Sequence, residues 1–297
     1  MNESTFLTAL RSLPLHAGAR GLADDTALLG DLVLTKDLVV EGIHFLATDP
    51  AADIAWKLVA VNLSDLAAKG AVPIGILLGY PLAGDDCWDR GFLEGLREVC
   101  QTFACPILGG DTVTANGPRT LSLTAIGRAT APPARSGARI GDALWVTGTI
   151  GDSAAGLAIA IGEHGPPELL AAYRRPQPRL AEGRVLASQV SAMMDVSDGL
   201  LIDAARMAQA SGCAVMIDLA AVPLSPAYAA HVGTNREARL AAATGGDDYE
   251  LLFALPPGTM PPVPATCVGS FAQGSGLTLT DAGESVALPP RIGYQHG

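Results

Sequence analysis

Residues Asp53 to Lys69, DIAWKLVAVNLSDLAAK, read as a helix that is apolar on most of its faces. A helix without a broad polar face cannot lie on a surface, so other elements have to enclose it. The chain has the means: it is 297 residues long, 49% hydrophobic and 16% charged. That composition argues for a sizeable core and against disorder. Around this helix, short apolar runs alternate with helical ones. Strands are expected over Leu32–Val40, Ile74–Leu78, Pro106–Leu108 and Leu121–Ile126, and an amphipathic helix over Trp88–Phe103. The passage ATAPPARSGARIGD (Ala129 to Asp142) carries the Pro, Gly and Ser of a boundary or exposed connection. Beyond it come strands at Ala143–Thr147, Val215–Leu219 and Tyr249–Leu255, and helices at Ser153–Ile161, Arg179–Gln189 and Leu200–Ala210. The mixture is α/β or α+β in two halves meeting near residue 135, giving expected domains 1–136 and 137–297.

Nineteen basic residues stand against 30 acidic ones, a formal net charge of −11. The lysines are Lys36, Lys57 and Lys69 alone. Nucleic acid and anionic membranes both require a basic surface, so neither is an expected partner, whereas cations are. The cysteines, at 87, 100, 105, 213 and 267, form no C-x-x-C pair and have no histidine cluster beside them. They read as reduced, mostly buried thiols of a cytoplasmic protein, and a structural zinc site is disfavoured. The N-terminus lacks the basic start and apolar stretch of a signal peptide, and no window has the length and apolarity of a membrane span.

The acids occupy unusual places. Asp24 and Asp25 follow a glycine in GLADDTALL, Asp37 ends the strand VLTKD, and Asp65 lies inside the apolar helix. Asp111 follows two glycines in PILGGDT, Asp195 and Asp198 sit in MMDVSDGLLID, and Asp247, Asp248 and Glu250 sit in GGDDYELLF. Singly, each has an ordinary reading. Ser197 or Asp198 caps the helix from Leu200, which contributes ~1 kcal/mol, and the others are turn residues. Asp65 needs a partner or a proton, and Asn62, three residues earlier, is one available partner. Jointly, converging carboxylates ~4 Å apart repel by roughly 4 kcal/mol per pair at an effective dielectric near 20, and divalent cations relieve that. Hard oxygen donors without cysteine or histidine favour magnesium over zinc, and magnesium shares its shell with water and substrate phosphates. No G-x-x-x-x-G-K-[ST] loop is present to hold phosphate, and no G-x-G-x-x-G opens a helix after a strand. Small-residue turns remain at Gly109-Gly110, Thr147–Gly156 (TGTIGDSAAG) and Gly245-Gly246. The second follows a strand and opens a helix, a geometry that aims amides at an anion. No covalent nucleophile is suggested, and His44 in VVEGIHF is the one histidine among motif residues.

The segments DLVVEGIHF, VNLSDLAAKGA, ILGGDT, ARSGARIGD, VTGTIGDSAAGLA, RRPQPR, MDVSDGL and GGDDYELLF, in this order, resemble the thiamine-monophosphate kinases of the AIR-synthase (PurM-like) superfamily. The likeness runs from about residue 21 to the Gly293-Tyr294 pair. It implies an α/β N-terminal domain whose sheet pairs into a barrel across a homodimer, followed by a larger α+β domain. It also implies ATP-dependent phosphorylation of thiamine monophosphate to the diphosphate by direct transfer, with several magnesium ions bridging the substrates. Carried over residue by residue, the family pattern makes Asp25, Thr35, Lys36 (through its backbone alone), Asp37, Asp65, Asp111, Asp195 and Asp198 the metal ligands. Of these, Asp25, Asp37, Asp65, Asp111 and Asp195 carry catalysis. Gly110, Asp111, Arg135 and Ser197 contact ATP, and His44, Asp247 and Tyr294 face thiamine monophosphate.

Four positions depart from the family pattern. Ala23 replaces a glycine in the GxGDD-type stretch, Lys36 a small hydroxyl residue, Asp247 a glutamate and Lys69 an apolar residue near Asp65. Lys36 either substitutes for a magnesium charge or points away. The alternative readings are another ATP-dependent enzyme of the superfamily, or a non-catalytic nucleotide-binding descendant in which Lys36 has displaced a metal. Selenophosphate synthase is disfavoured by the lack of a reactive Cys-Lys pair near the N-terminus. AIR synthase and the hydrogenase-maturation relative are disfavoured by the GGDDYELLF ending.

Overall fold

A computed structural model describes residues 3–295. In chain order its elements are α1 (Glu3–Leu10), β1 (Ala27–Leu29), β2 (Leu32–Val40), α2 (Ala51–Ala68), β3 (Val72–Leu82), α3 (Asp86–Thr102), β4 (Ile107–Thr114) and β5 (Thr120–Arg128). There follow β6 (Ala143–Thr147), α4 (Asp152–Ala160), α5 (Pro167–Arg174), α6 (Leu180–Leu186), β7 (Ala192–Asp195), α7 (Leu200–Ser211) and β8 (Ala214–Asp218). The last are α8 (Pro226–His231), α9 (Arg236–Thr244), β9 (Leu251–Leu255), β10 (Ala265–Ala272), β11 (Gly276–Asp281) and β12 (Glu284–Val286).

Two open sheets result. The first has the order β1-β2-β5-β3-β4, antiparallel except for the parallel β3–β4 pair. The second has the order β12-β11-β8-β10-β6-β9-β7, antiparallel except for β11–β8. Each sheet has its own buried cluster, built on Val33, Leu58, Leu63 and Leu123 in the first and on Val146, Leu201, Ile217 and Leu252 in the second. The fold is the expected mixed α/β architecture.

Helix α2 is enclosed as its sequence requires, since Ile54 to Ser64 and Leu66 to Ala68 are all buried. Val59, Leu63 and Leu66 pack with Leu121 and Leu123 of β5 in the first cluster. Its C-terminal turn enters a third cluster with Trp145, Met193 and Phe253, so α2 joins the two halves. Gly183 of α6 permits the approach, because a Cβ there would lie 2.0 Å from the Ala67 carbonyl oxygen. Trp56 Nε1 adds a 2.9 Å hydrogen bond to the Pro176 carbonyl.

The apolar and periodic runs form the elements expected of them, with ends shifted by a few residues. Strand β4 extends well past the expected Pro106–Leu108 and is exposed along its whole length. Strands β1, β7, β10, β11 and β12 and helices α1, α5, α8 and α9 are additional to that reading. The cysteines are only partly as expected: all five are free, Cys105 and Cys213 are buried, and Cys87 and Cys267 are exposed. Among the described residues no helix is long and apolar enough to cross a membrane.

Candidate active site

Lys57, Val61, Asp65 and Lys69 recur every four residues, one stripe about 18 Å long down α2. The first three line a cleft of about 350 Å³ whose other walls come from β2, α4, β7 and the GGDDY segment. A lysine therefore stands near each end of the stripe, with Asp65 between them.

At the acid end, carboxylate oxygens of Asp25, Asp65 and Asp195 all lie within 4.8 Å of one another. Strand alternation sends Thr35 and Asp37 of β2 to the α2 side of the sheet and Lys36 to the other. Lys36 Nζ rests 2.5 Å from Ser122 Oγ on β5, so its side chain points away from the acids. The Thr35 hydroxyl donates to Asp65 Oδ2, and Ser64 Oγ donates to Asp195 Oδ2 at 2.6 Å. Asn62 is not the partner of Asp65: its Oδ1 accepts the Asp37 amide at 3.1 Å and its Nδ2 donates to the Leu58 carbonyl.

Burial and mutual repulsion act on these groups together. Burial, with Asp37, Asp195 and Asp25 nearby, pushes Asp65 well above the usual carboxylate range. Burial and Asp25 push Asp195 up to about 8 and Asp37 up to about 6. Among the described residues no lysine or arginine nitrogen comes within 4.0 Å of the carboxylates of these three. Closely spaced hard oxygens short of positive charge are a fitting donor set for a divalent ion such as magnesium.

Asp25 is different. Burial alone would raise it, but Lys69 and Arg135 outweigh burial and hold it at about 2. Lys69 Nζ lies 2.5 Å from both Asp24 Oδ1 and Asp25 Oδ2, and Arg135 donates to Asp25 Oδ1 through Nε (3.2 Å) and Nη2. Arg20 Nη1 takes the remaining Asp24 oxygen at 2.6 Å. The guanidinium expected to meet ATP is thus engaged by Asp25 in this state.

Asp198 lies on the cleft wall with Ser197, and its carboxylate is paired with Arg206 of α7. Neither Ser197 nor Asp198 caps α7; Gly199 holds the N-cap position without a side-chain bond. Asp203 instead reaches back to accept the amides of Ser197 (3.1 Å) and Asp198 (3.0 Å), fixing the loop from one turn inside the helix.

The opposite end of the cleft is lined by His44, Lys57, Asp247, Tyr249 and Tyr294. Lys57 Nζ sits 2.6 Å from Asp247 Oδ2, donates to the His44 carbonyl at 3.0 Å and lies 4.2 Å from the Tyr173 ring centre. Tyr249 donates its hydroxyl to Asp247 Oδ1 at 3.0 Å. His44 Nδ1 accepts the Val40 amide at 3.1 Å, which leaves the ring proton on Nε2. The Tyr294 amide bonds the Asp198 carbonyl at 2.9 Å, docking the C-terminal segment on the same loop.

Two expectations are not met within one chain. Asp111 and Gly110 lie on exposed β4, and β5 and β3 separate that strand from β2. Three strand spacings place Asp111 about 14 Å from Asp37 across the sheet, so a single chain does not bring Asp111 into the acid cluster. The TGTIGDSAAG turn is not an open anion cradle, because Asp248 already fills it: the Gly151 amide lies 3.0 Å from both Asp248 oxygens. Residues to which the sequence assigned no role also matter, namely Lys57, Ser64, Asp203 and Arg206. Their one signal was that each is polar or charged in or beside an apolar run.

Two open sheets bridged by a buried helix, with a carboxylate-lined cleft alongside, define a two-domain α/β class that the AIR synthase related proteins share. The model for their N-terminal domain matches residues 23–129, and that for their C-terminal domain matches residues 139–288. Thiamine-monophosphate kinase of Caulobacter vibrioides is 40% identical over 96% of this chain and 88% of its own length. The Escherichia coli K12 protein of the same name is 38% identical over 93% and 91%. The solved structure AaThiL complexed with AMPPCP and TMP superposes with a TM-score of 0.86 at 30% identity, covering 100% of this chain and 97% of that one. The chain belongs to the thiamine-monophosphate kinase family.

Proposed function

We propose that the protein transfers the γ-phosphoryl group of ATP directly to thiamine monophosphate, forming thiamine diphosphate with magnesium as the required ion. One observation carries this reading: a single cleft joins the cation-deficient acids Asp37, Asp65 and Asp195 to the His44, Asp247 and Tyr294 end. The kinship with thiamine-monophosphate kinases, one of them solved with an ATP analogue and TMP, supports it. Asp37, Asp65 and Asp195 would hold the ions, with Asp198 on the cleft wall beside them, Asp25 adjoining in its pair with Lys69 and Arg135, Thr35 holding Asp65 and the Lys36 backbone alongside. Magnesium bound there supplies charge neutralisation for phosphates and for the transferring group.

The chain's own groups supply the rest. Ser64 and Thr35 fix the faces of Asp195 and Asp65, so the acids are oriented before substrate enters. His44, Asp247 and Tyr294 orient the thiamine end. Ser197 and Arg135, with Gly110 and Asp111, contact the nucleotide. The acceptor is itself a phosphate with a second pKa around 6, ionised at neutral pH, so in-line attack needs no strong general base. Exposed β4, with Ile107 and Val113 each about half accessible, leaves an edge that a second copy would cover in a homodimer. That is also a route by which Asp111 and Gly110 reach a site. The same proposal has the protein working in the cytoplasm.

Phosphorus NMR of protein with ATP, magnesium and thiamine monophosphate tests the reaction. Growth of thiamine diphosphate signals is expected, and ATP hydrolysis without that product would refute it. Light scattering tests the dimer.

A further inference from the structure

Lys69 closes α2 as its C-cap residue and is wholly buried. Its ammonium lies 2.5 Å from Asp24 Oδ1 and 2.5 Å from Asp25 Oδ2 as an ion pair with both, and donates to the Met193 carbonyl at 3.2 Å. The negative end of the α2 dipole also favours a cation there. Within the cluster the charges are therefore unevenly shared. Asp24 and Asp25 face Lys69, Arg20 and Arg135, whereas among the described residues the side-chain partners of Asp65 and Asp195 are the hydroxyls of Thr35 and Ser64.

We propose that Lys69 is a resident cation of the acid cluster, occupying with its ammonium a place that a divalent ion would otherwise take beside Asp25. The inference rests on the reading that this cluster binds divalent ions. A magnesium ion binds carboxylate oxygen at about 2.1 Å. An ion on Asp25 Oδ2 would then stand within about 4.6 Å of the ammonium, both side chains being buried. The other Asp25 oxygen is already held by Arg135. Divalent ions are accordingly gathered by Asp37, Asp65 and Asp195, and Lys69 acts as a positioning residue that keeps Asp24 and Asp25 in place without one.

The test is manganese binding to the purified full-length protein without nucleotide, by isothermal titration and by loss of the free-ion EPR signal. Lys69→Met, of similar length and uncharged, is expected to bind one more manganese ion per chain than the wild type. Lys69→Arg is expected to keep the wild-type number. If Lys69→Met folds only with millimolar magnesium present while Lys69→Arg folds without it, the proposal is likewise supported. Equal stoichiometry and affinity in wild type and Lys69→Met would overturn the role of Lys69 and leave the metal cluster standing. No manganese binding by any of the three proteins would overturn both.

Discussion

The ammonium of Lys57 and the carboxylate of Asp247, 190 positions apart in the chain, meet at 2.6 Å and close one end of the cleft. The pair ties α2 to the segment after α9, and Tyr249 holds the second Asp247 oxygen. Asp247 has a positive φ of 69°, so its backbone is set by this packing and by its amide bond to the Ser197 carbonyl at 2.7 Å.

Removing Lys57 therefore acts first on Asp247. Lys57→Met is expected to raise KM for thiamine monophosphate several-fold, with KM for ATP little changed. Stability should drop by roughly 1–2 kcal/mol, less than for a fully buried pair because the Asp247 side chain is 34% exposed. Steady-state kinetics and urea unfolding check both; an unchanged KM would remove Asp247 from the substrate end.

Asp65→Asn should separate function from stability. The substitution removes a carboxyl whose ionisation burial and the neighbouring acids oppose, so at a pH high enough to ionise the cluster the protein in EDTA is expected to melt at a higher temperature than wild type. Turnover should fall by about two orders of magnitude or more, equivalent to at least ~2.7 kcal/mol of barrier. A wild-type rate would dismiss Asp65 as a metal ligand.

Stability without metal should depend on pH in a particular direction. Asp195, at about 8, and Asp37, at about 6, bind protons more tightly in the folded chain than at the ordinary value near 3.9. Their contribution is complete below about pH 4 and is lost as pH climbs through the folded values. Asp25, at about 2, contributes the opposite way, losing its share as pH falls from about 4 towards 2. Melting curves in EDTA should thus decline from about pH 5 to pH 8, and magnesium at pH 8 should restore the loss. A melting temperature that rises steadily over that range would contradict the charge distribution described here.

Gly293→Ala tests the docking of the C-terminal segment. A Cβ at this position would lie 2.3 Å from Ile202 Cγ2 and 2.7 Å from the Asp198 carbonyl oxygen, so the segment must lift. The expected result is a raised KM for thiamine monophosphate with an unchanged melting temperature. Equal kinetics would place Tyr294 outside the substrate contacts.

Much of the frame was legible because hydrophobic periodicity is local. The run from Asp53 to Lys69 had to be buried, and it is; Leu32–Val40 had to be a strand, and it is. Strand β7, Ala192–Asp195, escaped notice because four consecutive apolar or short residues carry no period, although it delivers Asp195 to the cluster. The acids were recognisable as misplaced charges. Their partners were not, since Ser64 and Asp195 lie 131 positions apart and nothing local records that distance.

The chain's own pattern determined that α2 would be enclosed, that strands and helices would mix, and that carboxylates would stand at the edges of apolar elements. Tertiary structure alone decided which of those carboxylates converge, that Lys36 turns to Ser122 while Lys69 turns to Asp24 and Asp25, and that Asp111 stays on an exposed strand. The reason is physical: burial of apolar faces depends on each residue and its near neighbours. Charge pairing depends on distances of a few ångströms between segments that meet only once the chain has folded.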